Sequence, residues 1–158
     1  MSPSGSVHGH IAFTLSLALG QYVRRSGAGF VFGAETGFVL ERDPDTVRAP
    51  DCAFVRANRI PAGGIPEGFF PGPPDLAIEV LSPNDRLTES RRKAVEYLDA
   101  GAHAVWLVVP KSRVIEVHEP GSVRIYRGRQ SVSAGLAAPG FRMRVDQAFA
   151  GLGRPSKA

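Results

Sequence analysis

The first strongly periodic segment of the chain predicts an amphipathic helix from about Val7 to Arg24. Its apolar residues recur at helical spacing and would form one buried stripe, composed of Ile11, Leu15, Ala18, Leu19 and Tyr22. Ser6 can cap the start of this helix, because a serine oxygen accepts hydrogen bonds from the unpaired amides of the first turn. The Ser26-Gly27 pair is expected to end it.

Three short apolar stretches that follow are typical of strands: Phe30–Phe32, Gly37–Leu40 and Cys52–Val55. A turn signal, Asp43-Pro44-Asp45, lies between the second and the third. The segment from Arg59 to Pro74 contains five prolines and four glycines. This composition predicts a long loop, and long loops in compact domains are often functional.

Two nearly continuous apolar runs, Leu76–Leu81 and Ala104–Val109, are typical of strands that are covered on both faces of a sheet. Between them, Asp85 or Thr88 can cap a helix that runs to about Ala100. A strand, a helix and a second strand in this order predict a right-handed crossover between parallel strands.

Beyond this unit, Val114–His118 and Val123–Arg127 predict an antiparallel pair of strands, joined by a turn at Glu119-Pro120-Gly121. The whole pattern indicates an α/β fold with a mixed sheet and an early helix packed on it.

Composition limits the classes of protein to which the chain can belong. Its 158 residues are 43% apolar and 22% charged, as expected for one globular domain over residues 1–158. No apolar run approaches the roughly 20 residues of a membrane span. The single cysteine, Cys52, excludes an internal disulfide and favours a reducing, cytoplasmic location. The net charge of +4 is compatible with a polyanionic partner.

Glu79 is the anomalous residue of the predicted central strand. Its neighbours on the same face are Ala77 and Leu81, and an unpaired carboxylate among apolar side chains is costly. Two interpretations follow: Glu79 lies at a sheet edge or pairs with an arginine, or it binds a metal ion. A divalent cation would supply the compensating charge, and Mg²⁺ prefers carboxylate oxygens.

Three Pro-Asp pairs offer a second carboxylate for such an ion. Asp75 precedes Glu79 by four residues on the same strand, which places it about 13 Å away, too far to share one ion. Asp45 is explained by its turn. Asp51 opens a separate strand and can approach Glu79 laterally, so elimination favours Asp51.

Lys93 completes a candidate trio. It lies in the predicted helix after the Glu79 strand, with Tyr97 at the i,i+4 spacing that makes side chains neighbours. A lysine in this position could orient an attacking water or stabilise charge that develops on a phosphate. The alternative is a solvated basic helix face.

These residues, in this order, carry a family resemblance. Pro50-Asp51, Glu79 within the segment PPDLAIEVLSP, Lys93-x-x-x-Tyr97 in a helix and Trp106-Leu107-Val108 in a strand resemble the PD-(D/E)xK nuclease superfamily. They are more similar still to the Uma-type family of bacterial restriction endonucleases. The resemblance covers about residues 4–144 and leaves 145–158 as a C-terminal tail.

The resemblance implies a restriction-endonuclease-like fold, a mixed β-sheet core flanked by helices, with a bound Mg²⁺ or Mn²⁺. By position, the implied metal ligands are Asp51, Glu79 and the backbone carbonyl of Val80. The usual lysine of the superfamily falls on Leu81, which cannot serve. The resemblance assigns its role to Lys93 instead.

The resemblance also suggests supporting residues. His8 matches the histidine at the start of the family's first helix, Glu35 is a candidate additional acid, and Tyr97 accompanies Lys93. Family members typically carry an upstream hairpin with a glutamate, whereas this sequence reaches His8-Gly9 directly from Met1. An acid and an edge strand of the family are therefore expected to be missing.

The predicted function is that of a metal-dependent endonuclease that hydrolyses phosphodiester bonds of nucleic acid, with DNA as the expected substrate. No membrane partner is expected, and a homodimer is one option, since sheet edges in small nucleases are often paired. The main alternative is a catalytically inactive module of the same fold that binds nucleic acid or protein. A third option is a metal-dependent hydrolase of another phosphoester.

Overall fold

The computed structural model of the chain describes residues 3–154. Along the chain its elements are α1 (Ser6–Ser26), β1 (Gly29–Gly33), β2 (Phe38–Glu41), β3 (Thr46–Arg48), β4 (Cys52–Arg56), a 3₁₀ turn (Ala57–Arg59), β5 (Phe70–Pro71), β6 (Leu76–Val80), α2 (Leu87–Asp99), β7 (Ala104–Val109), β8 (Val114–Glu119), β9 (Ser122–Arg127), β10 (Ser131–Ser133), β11 (Arg142–Arg144) and α3 (Val145–Ala148). Within this range, no helix combines the length and the hydropathy required to cross a bilayer.

The main sheet has six strands in the order β1-β4-β6-β7-β8-β9. Strands β6 and β7 are parallel and α2 connects them, whereas all other neighbours are antiparallel. The predicted α/β fold with a mixed sheet and a strand-helix-strand unit at its centre is therefore confirmed.

Helix α1 covers one face of this sheet. The predicted stripe is correct, since its side chains Ile11, Leu15, Leu19 and Tyr22 are buried in the largest apolar cluster. The prediction that Ser6 caps the helix is wrong: Gly5 occupies the N-cap position without a side-chain hydrogen bond, and Ser6 is already helical. At the other end, Gly27 adopts φ 65° and donates its N–H to the Val23 carbonyl, as expected for a glycine terminator.

Helix α2 covers the opposite face. Its apolar contacts form a second cluster made of Ala77, Leu81, Ala94, Tyr97, Ala102, Val105 and Leu107. The predicted caps, Asp85 and Thr88, are both wrong. Arg86 occupies the N-cap position without a side-chain hydrogen bond, and Asp85 instead accepts the Ser82 N–H at 2.6 Å, which closes the turn after β6.

A small second layer lies beside α2. It is a three-stranded sheet in the order β3-β2-β5, and its residues Phe38 and Phe70 pack on Ala53 and Val55 of β4. The segment that was predicted to be only a loop therefore contributes one short strand, β5. Proline and glycine disfavour long strands, but they tolerate a two-residue edge strand.

The first part of the predicted C-terminal tail over 145–158 packs against the fold. Helix α3 begins at Val145, and Val145, Ala148 and Phe149 are buried in the same cluster as α1. His10 of α1 also contacts the Ala150 carbonyl at 2.8 Å. The last part of the predicted tail, 155–158, lies outside the described residues.

Close packing between β1 and β4 supports the strand that begins after Asp51, and this gives a stability prediction. A methyl group added at Gly29 would overlap the carbonyl oxygen of Val55 and approach the Phe54 ring to 2.8 Å. We expect Gly29→Ala to lower the free energy of unfolding by about 1–3 kcal/mol, measured by urea denaturation. Gly33→Ala on the same strand meets no atom within 4 Å and should change stability little. Equal effects of the two substitutions would contradict this packing.

Candidate active site

The register of two antiparallel strands brings Asp51 and Glu79 together. Cys52 of β4 lies opposite Ile78 of β6, so the next position along the pair sets Asp51 beside Glu79. Adjacent strands lie about 4.8 Å apart, which is within reach of two carboxylate side chains. The lateral approach of Asp51 expected from the sequence is therefore seen in the backbone register.

Both oxygen atoms of the Asp51 carboxylate can be assigned. Oδ2 accepts the backbone N–H of Val80 at 2.7 Å and lies 3.2 Å from Nε2 of His8, near the start of α1. Among the described residues, Oδ1 has no hydrogen-bond partner and His8 Nδ1 is a buried atom without one. Asp51 is thus held through one oxygen and presents the other.

The backbone at the end of β6 adds a third oxygen. Leu81 donates its N–H to the Val108 carbonyl of β7, so the preceding residue, Val80, points its N–H and carbonyl towards β4. If the register of β4 and β6 is continued, Pro50 lies opposite Val80, and proline has no N–H to donate. The carbonyl of Val80 therefore meets no backbone donor from that position and lies on the side of Asp51.

Glu79 points to the α2 face, where the Tyr97 hydroxyl donates to its Oε1 at 3.0 Å. In the part of the chain that the structure describes, Glu79 forms no ion pair within 4.0 Å. Burial, and then the negative charge of Asp51, raise the pKa of Glu79 from 4.5 to about 7. The Tyr97 hydrogen bond and the charge of Lys93 act in the opposite direction.

Lys93 lies on the exposed side of α2, one turn before Tyr97. Its positive charge is close enough to lower the pKa of Glu79, yet among residues 3–154 it forms no ion pair or hydrogen bond with an acid. The structure therefore brings an ammonium that is unpaired within the described residues into the neighbourhood of Glu79.

Glu35, the candidate additional acid, lies in the loop after β1 at the same end of the sheet. Its φ is 69°, its side chain is exposed, and it lines a surface cavity with Phe32 and Phe69. Over the described range it forms no hydrogen bond or ion pair with Asp51 or Glu79. Its participation stays a prediction.

The other two Pro-Asp carboxylates are engaged elsewhere. Asp75, 2% exposed, accepts the Arg56 N–H at 2.8 Å and pairs with Arg59 at 3.0 Å, at the opposite end of β6 from Glu79. Asp45 pairs with Arg42 at 3.0 Å in its turn. Both have structural partners.

A buried polar cluster on β8 was missed by the sequence reasoning. The Glu116 carboxylate accepts hydrogen bonds from Nε of Arg91 at 3.0 Å and from Nη2 of Arg91 at 2.6 Å. Nε2 of His118 lies 3.0 Å from Oε2 of Glu116. The signal was present, because Ile-Glu-Val occurs both at 78–80 and at 115–117. An acid within an apolar strand is the same anomaly in both places.

The donor set fits a hard divalent cation. Asp51 Oδ1, the Glu79 carboxylate and the Val80 carbonyl are oxygen atoms, which Mg²⁺ and Mn²⁺ prefer, and this ion usually completes its coordination with water and substrate phosphate. Within residues 3–154 no cluster of three or more His, Cys, Asp or Glu side chains is arranged for a metal, so protein ligands of this kind would supply part of the coordination only.

The raised pKa of Glu79 gives a second prediction. In metal-free protein, the carboxyl carbon of Glu79 should titrate near 7 by ¹³C NMR, and Tyr97→Phe should raise that pKa further, because it removes a hydrogen bond to the charged form. Because the folded protein favours the neutral carboxyl of Glu79, this group contributes fully to the free energy of unfolding below about pH 4.5. The contribution is lost as the pH rises through about 7.

It follows that Glu79→Gln should stabilise metal-free protein at pH 8 by about 1–3 kcal/mol and should lose this advantage at pH 4. Thermal unfolding at the two pH values measures the difference. A titration of Glu79 near 4.5 would contradict the prediction.

Comparison with known proteins agrees with this fold. The family model described as "Uma2: Putative restriction endonuclease" matches residues 1–146. A similar solved structure is a putative nuclease belonging to DUF820 from Anabaena variabilis ATCC 29413; it is 22% identical, its TM-score is 0.82, and the match covers 94% of this chain and 83% of that chain. No curated protein matches the chain. The predicted nuclease-like fold is confirmed, and the chain belongs to the Uma2 family of putative restriction endonucleases.

Proposed function

We propose that this protein is a metal-dependent endonuclease that hydrolyses phosphodiester bonds of DNA. The observation that carries the proposal is the pair Asp51 and Glu79, two carboxylates side by side on neighbouring strands, of which Glu79 has no ion-pair partner among residues 3–154. Burying such a pair is costly, and a bound Mg²⁺ or Mn²⁺ would offset the cost. Membership of a restriction endonuclease family supports the same reaction class.

Three oxygen atoms would hold the ion: Asp51 Oδ1, a carboxylate oxygen of Glu79 and the carbonyl of Val80. When bound, the cation supplies Lewis-acid polarisation of the scissile phosphate. His8 and the Val80 N–H fix Asp51 through Oδ2, and the Tyr97 hydroxyl fixes Glu79 through Oε1. Ligands that are held in this way need little reorganisation when the ion binds.

Lys93 would act on the substrate side. Leu81, at the position of the superfamily's lysine, is buried in the cluster beneath α2, so the chain supplies its cation from the helix instead. The ammonium of Lys93 is exposed and unpaired within residues 3–154, which leaves it able to orient the attacking water or to stabilise charge on the phosphate.

Substitution of the two acids tests the proposal. Asp51→Asn and Glu79→Gln should each abolish Mn²⁺-dependent cleavage of a DNA plasmid and eliminate heat of Mn²⁺ binding in isothermal titration, because each removes an anionic ligand. Asp75→Asn is the matched control, since it neutralises a buried acid of the same sheet at the far end of β6.

Circular dichroism should show that both variants remain folded. Equal cleavage by wild type and both variants would refute the assignment. Carboxylate-dependent Mn²⁺ binding without cleavage of DNA or RNA, but with hydrolysis of a small phosphoester, would favour the third option. Nucleic-acid binding without metal binding would favour the inactive module.

Substitution of Lys93 tests its separate role. Lys93→Ala should lower kcat by about 10²–10³-fold while Mn²⁺ affinity stays within about twofold, since the residue contacts the reacting groups and not the ion. Arg92→Ala is the control, because Arg92 is the adjacent cation and pairs with Glu96 at 3.1 Å. Equal losses in the two variants would assign both residues to general electrostatic attraction of the substrate.

A further inference from the structure

Helix α2 carries both Lys93 and Tyr97, and one face of it packs on the sheet. It has 13 residues, of which Ala94 and Tyr97 are buried, while Leu87 and Leu98 are partly buried against the same cluster. Ala94, at the centre of that face, offers no side-chain shape that could resist rolling of the helix. Polar contacts therefore add to the apolar ones in setting the position of α2.

Three polar contacts join α2 to three different strands. Tyr97 donates to Glu79 of β6, Glu96 pairs with Arg48 of β3 at 2.7 Å, and Arg91 pairs with Glu116 of β8. The first involves a proposed metal ligand itself. The Arg91–Glu116 contact is remote from the proposed metal ligands, and it engages both carboxylate oxygens, whereas both nitrogens of Arg48 contact the same oxygen of Glu96.

The Arg91 and Tyr97 side chains leave α2 on either side of its buried face. Arg91 precedes Ala94 by three residues and Tyr97 follows it by three, so the two side chains leave the helix about 60° to either side of the buried alanine. Register pairs Glu79 with Leu107 and Leu107 with Glu116, so the two acceptors lie on strands that flank β7, about 10 Å apart.

The Glu116 carboxylate is itself fixed. It is 2% exposed, it receives two hydrogen bonds from the guanidinium of Arg91, and His118 of the same strand face contacts its Oε2. Arg91 lowers the pKa of Glu116, so the carboxylate stays charged at neutral pH. Only the acid of this pair is buried, since the Arg91 side chain is 46% exposed. Such a pair is weak evidence for stability alone, but it can define one geometry.

We propose that the Arg91–Glu116 ion pair, supported by His118, is a positioning device that fixes the rotation of α2 and thereby holds Lys93 and Tyr97 towards Glu79. A roll of the helix by about 20° would move a side chain about 6 Å from the axis by about 2 Å. Displacements of about 1 Å at a reacting group can reduce a rate by about 100-fold. The inference rests on the proposed function for its consequence on rate.

The first test requires no activity. In metal-free Glu116→Gln, amide hydrogen exchange of 87–99 should become at least about tenfold faster, while exchange of α1 stays as in wild type. Asp75→Asn is the matched control: it neutralises an equally buried carboxylate with arginine partners, but it should leave exchange in α2 unchanged. Unchanged exchange of α2 in Glu116→Gln would overturn the proposal.

The second test measures Mn²⁺-dependent DNA cleavage. Glu116→Gln should lower kcat by about tenfold or more with KM within about twofold, and the loss should be clearly smaller in the background of Lys93→Ala, because a misplaced Lys93 and an absent one are equivalent and only the displacement of Tyr97 remains. Losses of kcat that multiply independently would show that Glu116 does not act through Lys93, and would overturn the positioning role.

A further variant covers the case in which Glu116→Gln does not fold. Arg91→Lys keeps the charge and replaces two hydrogen bonds by one, so it should produce smaller changes in the same direction. If wild type cleaves no nucleic acid, the proposed function fails, and the exchange experiment still decides whether the ion pair fixes α2.

Discussion

A carboxylate within an apolar strand must acquire either a proton or a nearby positive charge, and the organisation of this protein follows from that constraint. The tripeptide Ile-Glu-Val occurs twice, on β6 and on β8, and its two glutamates have opposite surroundings. Glu116 is neutralised by Arg91, which lowers its pKa. Glu79 has a hydroxyl donor and a second carboxylate beside it, and its pKa rises to about 7.

The two glutamates of this sheet differ in whether a positively charged side chain of the protein compensates their charge. Glu116 accepts two hydrogen bonds from Arg91, and His118 contacts its Oε2, so the protein itself compensates the charge of this carboxylate. An acid whose charge is not compensated lowers stability and retains affinity for a cation, which is typical of functional sites. The same face of the sheet thus carries one acid that fastens α2 and one that is available to a metal ion.

The end of the β4–β6 ladder explains why the site forms where it does. Pro50 supplies no N–H opposite Val80, and the Asp51 side chain takes the Val80 amide that a longer ladder would have paired. One proline thus leaves a backbone carbonyl available, and the adjacent aspartate contributes one fixed oxygen and one available oxygen. This is a local reason for a Pro-Asp pair at the start of a strand.

The sequence by itself determined the main elements: the stripe of α1, the strand-helix-strand unit and the anomaly of Glu79, because hydrophobic periodicity and burial cost are local properties. It also predicted that Asp51 approaches Glu79 from a neighbouring strand, as the register of β4 and β6 has it. It did not predict the N-cap of either helix, the strand β5 or the packing of 145–149, since those depend on competing partners and on surfaces that only the assembled core offers. Which buried glutamate receives an arginine was likewise decided by tertiary structure, because Arg91 and Glu116 lie 25 residues apart and meet only when β7 and β8 are paired beneath α2.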